Sequence, residues 1–382
     1  MERLIVFALV FLLPTQLAYH FWLRSSYIYG LRVDYLSPAI YLTDILIVLL
    51  LPYIKKRLYL LLSPIIIFAL INCTFAQIPI VALFKWIVVF KLIIFGLYFY
   101  SCDLHRLRKT IVSAFSLSLV TFFLIGLLQF ILQKTIGGPL YLLGERSFTS
   151  QTPGISLMDV FGKSLMRAYS TFSHPNSFAG FAVVSFLILL SFKKQSFLYI
   201  IVILSLLLTF SLNALVGVCL VVTLFFLLKY FPKIVKKTKV LLPIVVIGLS
   251  LLFGIVSGVL PEEVLLKEAY KERVVLAGYA IEAFSKRPAL GIGLNNFFFA
   301  TKGIQPPHNI YLIVLSETGI MGILVSFFLL SKLFRRRLNK YLFLAIFFVL
   351  ATGLFDHYWF TLQQNQLLLS LLLGLSVRRY NA

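Results

Sequence analysis

His308 is the side chain in this sequence best suited to accept a proton at neutral pH. It follows Pro306-Pro307, precedes Asn309, and stands where a polar stretch turns into a long apolar run. A neutral imidazole titrates near pH 6.5 and can take the proton of a hydroxyl. The amides at a helix start favour anions, so a base and an anion-friendly helix end coincide here. Further along the same run Glu317 is followed by Gly319 and Gly322. Arginines supply the complementary chemistry, because a guanidinium offers a planar fork of donors that fits phosphate oxygens. Arg273 and Arg287 precede His308 in one polar stretch, and Arg167 precedes Tyr169-Ser170-Thr171-Phe172-Ser173-His174-Pro175-Asn176 in another.

Each of these residues also has an ordinary structural reading. His308 could bond a loop carbonyl. Arg273 has Glu268, Lys271 and Glu272 at helical spacings, which suits local pairing. His174 and Asn176 could cap the helix that starts beside them. Arg167 has no acid nearby in sequence, which favours a phosphate role. Asp356-His357-Tyr358-Trp359 sits at another helix end, where Asp356 could orient His308 or an arginine. Lys85, Lys91, Asp44 and Glu317 lie inside apolar runs, are costly in lipid, and must face a bundle interior or a polar cavity; a Lys91–Asp44 pair is one expectation. His174, His308 and His357 show no H-x-x-x-H or HExxH spacing and no carboxylate at a ligand-like interval, so no metal and no cofactor is expected.

The elements that must position these groups are membrane helices. The chain of 382 residues is 60% hydrophobic, only 13% charged, and has a mean hydropathy of +0.99, whereas soluble domains carry about a quarter charged residues. Apolar runs reach the roughly 20 residues that cross the hydrocarbon layer as a helix, which predicts an all-α bundle forming one integral membrane domain over 1–382. Twelve spans can be drawn, at about 4–22, 36–54, 58–76, 81–100, 110–132, 177–192, 196–211, 213–230, 240–259, 309–330, 341–358 and 362–377, with a turn at Ser211-Leu212-Asn213 dividing one long run. The first reads as a retained helix, since no small-x-small cleavage site follows it.

The net charge of +22 is spread as short clusters between apolar runs, such as Lys55-Lys56-Arg57, Lys193-Lys194, Lys229 to Lys239, Lys332 to Lys340 and Arg378-Arg379. Placing both termini in the cytoplasm puts every such cluster on the same side, with Glu2 and Asp103 as the only acids there, as the positive-inside rule requires. That pattern argues against a nucleic-acid binder. Two long loops, about 133–176 and 260–308, then face outward. The second begins Pro261-Glu262-Glu263, reads as helical from Val264 to Phe284, and reaches a Gly291-Ile292-Gly293 turn. Loops of this length are usually functional. Cys73, Cys102 and Cys219 form neither a metal spacing nor a disulfide framework and read as structural. No P-loop or dinucleotide fingerprint is present.

Taken together, these positions resemble the O-antigen ligase and O-antigen polymerase superfamily of polytopic membrane glycosyltransferases. His308-Asn309, nine residues, Gly319, two residues and Gly322 is similar to the ligase signature. Arg167 with Thr171-Phe172-Ser173-His174-Pro175-Asn176 resembles the family's arginine and turn, and Arg273 with Arg287-Pro288-Ala289-Leu290-Gly291-Ile292-Gly293 its large external loop. Members often carry a Ser-Arg pair where this chain has Ser211-Leu212-Asn213. The resemblance implies transfer of a glycan from a polyprenyl diphosphate carrier to an acceptor hydroxyl on a glycan, lipid or protein. It places that reaction at the outer face of a bacterial inner membrane, with no metal, cofactor or nucleic acid. It implies His308, Arg273 and Arg167 as catalytic groups, with Arg287, His174, Asn309, Glu317 and Asp356 binding substrate. A transporter or flippase of lipid-linked glycans is the alternative that the intramembrane charges allow, although the paired halves and broken helices of transporters are not legible in the sequence.

Overall fold

The computed structural model describes residues 1–192, 197–259, 268–301, 305–336 and 338–378. Lys193-Lys194, Pro261-Glu262-Glu263, the side chain of Glu268, and Arg379 lie outside the described residues. Among the described residues, the chain is a helix bundle with three small two-stranded antiparallel sheets in its loops. The first half comprises α1 (Glu2–Phe11), α2 (Leu42–Leu50), α3 (Ser63–Thr74), α4 (Pro79–Ser101) and α5 (Leu104–Leu132). The middle carries α6 (Pro175–Ser191), α7 (Leu198–Thr209), α8 (Leu212–Tyr230), α9 (Pro232–Thr238) and α10 (Leu242–Val259). Then follow α11 (Glu268–Lys286), α12 (Phe297–Thr301), α13 (Ile310–Arg335), α14 (Lys340–Thr352), α15 (Tyr358–Thr361) and α16 (Gln363–Val377).

Among the described residues, six helical stretches are long and apolar enough to cross a bilayer: Lys56–Thr74, Pro79–Ser101, Leu104–Leu132, Leu212–Tyr230, Lys239–Ser257 and Ile310–Arg335. The expected count of twelve is therefore not matched by full-length helices. Pro14 follows the end of α1, whose 10 residues rise about 15 Å, half the roughly 30 Å hydrocarbon thickness. The rest of the supposed first span is extended: β1 (Ala18–His20) pairs with β4 (Ala39–Tyr41), enclosing the β2 (Tyr27–Ile28) and β3 (Leu31–Arg32) hairpin. Leu42–Tyr53, Pro175–Ser191, Leu198–Thr209 and Lys340–Thr352 are apolar but shorter. The divided run turns one residue before the expected place. Phe210 adopts a left-handed conformation at φ 44°, and the Ser211 hydroxyl accepts the Ala214 N–H to start α8.

One apolar core joins most of these helices, with Phe95, Phe99, Phe115, Phe178, Phe348 and Leu371 among its buried members. Pairs such as α4 with α16, α1 with α5, and α6 with α14 pack face to face. Large apolar side chains on the outer faces, including Leu220, Leu252, Ile255 and Phe328, remain uncovered, as lipid contact requires. The Lys91–Asp44 pair forms at 2.8 Å and ties α4 to α2, while Gln363 of α16 donates to Asp44 at 3.0 Å.

Helix α13 is broken at Gly319, whose φ of 65° and ψ of −165° lie in a region open essentially to glycine alone. The chain from Arg287 to Gly293 fills the break. Ile292 and Gly293 N–H groups donate to the Ser316 and Glu317 carbonyls at 2.9 and 3.0 Å, and Ile320 and Met321 N–H groups donate to the Pro288 and Ala289 carbonyls at 2.8 and 3.2 Å. The freed helix backbone is thus satisfied by loop backbone, the condition for irregular structure at membrane depth. A Cβ at Gly319 would stand 2.5 Å from the Ala289 backbone. Gly319→Ala is therefore expected to lower stability by about 1–3 kcal/mol, read as a reduced Tm in detergent. Gly248→Ala, whose Cβ meets nothing within 4 Å, is the helix control that should not destabilise.

Candidate active site

A cavity of about 990 Å³ opens where β1, β4, the start of α6, α11 and the α14–α15 connection converge. His308, His174, Asp356, His357 and Arg273 line it together, joined by Asn176, Tyr35 and Glu272. Its volume is at the upper end for ligand sites. Four of the eight residues expected at the site, namely His308, Arg273, His174 and Asp356, meet here. The other four take different places.

Asn176 holds the arrangement together. Its side-chain Oδ1 accepts from Arg167 Nη2 at 2.7 Å and from the Ser211 hydroxyl at 2.9 Å, and its Nδ2 donates to Asp356 Oδ2 at 2.8 Å. Asp356 Oδ1 accepts the His357 N–H at 2.8 Å. Burial acts to raise the Asp356 carboxyl, but His357, His174, His308 and the Asn176 amide together hold it below the usual carboxylate range. Asp356 is the carboxylate at neutral pH, and it makes no hydrogen bond to His308.

The three imidazoles are uncharged bases. Burial pushes His174 down to about 4 and His357 down to about 4, in each case against the pull of Asp356. Burial also lowers His308, with Asp356 opposing and Arg273 assisting. His174 caps α6, its Nδ1 accepting the Asn176 N–H at 3.1 Å, so its proton resides on Nε2. The His308 and His357 rings lie 5.1 Å apart with planes at 41°. One donor atom from each of His308, Asp356 and His357 falls within 4.8 Å of the others. Sequence spacing gives no hint of that cluster, because the fold brings His308 across to the Asp356-His357 pair.

Arg167 stands behind this wall rather than in the cavity. Three of its five N–H donors go to the Thr209 carbonyl at 2.6 Å, Ser156 Oγ at 2.7 Å and Asn176 Oδ1. The absence of a nearby acid in sequence concealed partners that are neutral oxygens. Arg287 donates to the Phe75 carbonyl beside a separate hollow formed with Thr74, Ala76 and Gly291. Asn309 caps α13, accepting from Tyr311 and Leu312 N–H groups at 2.9 and 3.1 Å and donating to Ser250 Oγ and the Leu354 carbonyl. Glu317 is buried, accepts the Phe297 N–H at 3.4 Å, and lies within electrostatic reach of Lys85.

Among the described residues, the Arg273 guanidinium makes no hydrogen bond or ion pair, and the expected pairing with Glu272 does not form. Residues that the sequence reading did not single out also line the cavity: Arg146, Tyr35, Gln16 and the Arg32 side chain stacked over Trp22 at 5.1 Å. They come from loops whose fold the apolar pattern does not determine. Tyr35 could have drawn notice only through its neighbour Asp34.

Residues 176–327 match the family model described as O-antigen ligase. This match begins at Asn176 and spans His308, Arg273 and the glycine break, and it supports the resemblance to the O-antigen ligase superfamily. No curated protein and no solved structure matches the chain. The match and the apolar helices together support a membrane protein with a glycosyltransferase-like role in polysaccharide biosynthesis. Because Asn176 couples Arg167 to Asp356, Arg167→Gln and Asn176→Ala should be non-additive by at least about 0.5 kcal/mol in a double-mutant cycle read by thermal unfolding in detergent.

Proposed function

We propose that this protein transfers a glycan from a polyprenyl diphosphate carrier to an acceptor hydroxyl, at the outer face of a bacterial inner membrane. The observation that carries the reading is the convergence, in one large cavity, of an uncharged His308 and an Arg273 that makes no hydrogen bond or ion pair among the described residues. Arg273 holds the diphosphate by charge-assisted hydrogen bonds, with Arg146 as a second cation lining the cavity. The acceptor oxygen attacks the anomeric carbon and forms the new glycosidic bond. The bond from that carbon to the phosphate oxygen breaks, and the diphosphate leaves with the electron pair. His308 takes the hydroxyl proton, and the Asp356 carboxylate, within 4.8 Å, favours the imidazolium that forms. Positive character builds on the sugar carbon as in glycoside hydrolysis. The carrier bond supplies the free energy, so neither nucleotide nor metal is required.

The role of Arg167 in this reading is positional. It fixes Asn176, which fixes Asp356. The charge clusters support an orientation with both termini in the cytoplasm and the cavity outside. The break in α13 is a feature that transporters share, and it is the observation favouring a flippase. That break is closed by loop backbone instead of opening to substrate, which supports the transferase.

His308→Ala should insert and fold normally while transfer falls by about 10²–10⁴-fold, measured as conjugate formed from purified lipid-linked glycan. Undiminished transfer would remove the base. Arg273→Ala should weaken carrier binding and Arg167→Ala should lower turnover; equal carrier affinity for wild type and Arg273→Ala rules out the clamp. Chelators should leave the rate of purified protein unchanged.

The pH dependence has a defined sign. A lowered His308 keeps its lone pair at pH values where an ordinary imidazole is charged, so the acid limb of kcat/KM should fall below about 6.5. Asp356 raises His308, so in Asp356→Asn the limb should move lower still. An acid limb at or above the ordinary imidazole value would contradict the assignment.

A further inference from the structure

We propose that His308, Asp356 and His357 form a binding site for one Zn²⁺ ion, and that filling it switches transfer off. The donor atoms of the three side chains already lie within 4.8 Å of one another. Zinc bonds of about 2.0–2.2 Å in tetrahedral geometry put donor atoms roughly 3.4 Å apart. Closure therefore asks only for small side-chain rotations about a common centre. Two imidazole nitrogens and one carboxylate oxygen leave the fourth position to the cavity, the pattern of an open zinc site. This donor set suits a borderline ion such as Zn²⁺ over Mg²⁺, which prefers oxygen ligands and keeps its waters.

The surroundings hold two of the three ligands in register. His357 Nδ1 lies 2.8 Å from Thr361 Oγ1, while that hydroxyl donates its own proton to the His357 carbonyl at 3.1 Å. Nδ1 must then carry the ring proton, and Nε2 keeps its lone pair. Asp356 is fixed by the Asn176 amide and the His357 N–H. Outer partners of this kind orient ligands and raise their basicity at metal sites. His308 supplies the third observation, because its Nδ1 is buried with no hydrogen-bond partner among the described residues. A buried polar atom left unpaired is costly, and an ion or water is the partner that the geometry invites.

The consequence follows from His308. An ion bonded to that ring ties up the lone pair that would otherwise accept the hydroxyl proton. This inhibitory arm rests on the transfer reaction proposed above, whereas binding itself does not.

The test uses the full chain in detergent or nanodiscs and Zn²⁺ alone. Calorimetry or equilibrium dialysis should show one saturable site per chain, unaffected by millimolar Mg²⁺, with affinity reduced at least tenfold in both His308→Gln and His357→Gln. Because His357 is buried and its variant could misfold, Co²⁺ is added to the unaltered chain as a second measurement. A strong visible band of low-coordinate Co²⁺, bleached by Zn²⁺, is expected. Transfer should decline with the same midpoint as Zn²⁺ binding and recover on chelation. Absence of saturable binding by the unaltered chain, or binding undiminished in both variants, overturns the site. A Zn²⁺-loaded protein that transfers at full speed overturns the inhibition. A chain that binds Zn²⁺ at these residues but never transfers glycan keeps the site and sinks only the reaction.

Discussion

The arrangement depends on a single amide standing between two opposite charges. Arg167 and Asp356 would gain from direct contact in a low-dielectric interior, and such a pair would neutralise the carboxylate. Asn176 prevents it by offering its carbonyl to the guanidinium and its amino group to the carboxylate. Each ion is thereby hydrogen-bonded, as a buried charge must be, yet the two never meet. The negative charge of Asp356 is left to face His174, His308 and His357. Arg167 spends its remaining donors on the carbonyl of Thr209, where α7 ends, and on Ser156 in the first long loop. One residue type at one position therefore fastens three segments and sets the electrostatics of the cavity.

The bilayer supplies the second constraint. Full-length helices such as α4, α5 and α13 can cross lipid because their backbone bonds are internal. Short helices such as α1 and α7 cannot do so alone, and their ends are tied by other parts of the chain. The Ala168 N–H donates to the Leu208 carbonyl at 3.0 Å beside the end of α7, and β4 leads directly into α2. The polar groups so collected lie where helices stop short. A cavity lined by hydrogen-bonding side chains follows from bundling helices of unequal length.

Much of this was legible in the sequence, for reasons that differ by residue. Helices appear at nearly all the apolar runs because helix is the only open conformation lipid tolerates, and the Lys91–Asp44 pair was foreseeable because isolated charges there are too costly. His308, His174, Arg273 and Asp356 were found as polar residues at helix ends, and the fold gathers them. What failed were readings that require knowledge of distant neutral partners. Arg167 looked unpartnered because carbonyls and amides leave no mark in a search for acids. Asn309 looked like a substrate ligand and is a cap, while Asn176 looked like a cap and is the bridge. Hydropathy counted residues 4–22 as a helix without registering that α1 ends before Pro14 and that residues 18–20 pair as a strand with 39–41.

Which cations can receive an anionic ligand is decided by what each already touches. Lys91 is committed to Asp44 and Gln363. Lys85 leans on the Phe360 carbonyl and ring and feels Glu317. Arg32 stacks on Trp22, Arg287 holds the Phe75 carbonyl, and Arg167, outside the cavity lining, bonds the protein through each of its three nitrogens. Arg273, within electrostatic reach of His308, makes no hydrogen bond or ion pair among the described residues, and Arg146 also lines the cavity. In the proposed reaction, an anion entering the cavity is drawn to Arg273 and Arg146, the lining arginines that make no hydrogen bond or ion pair among the described residues.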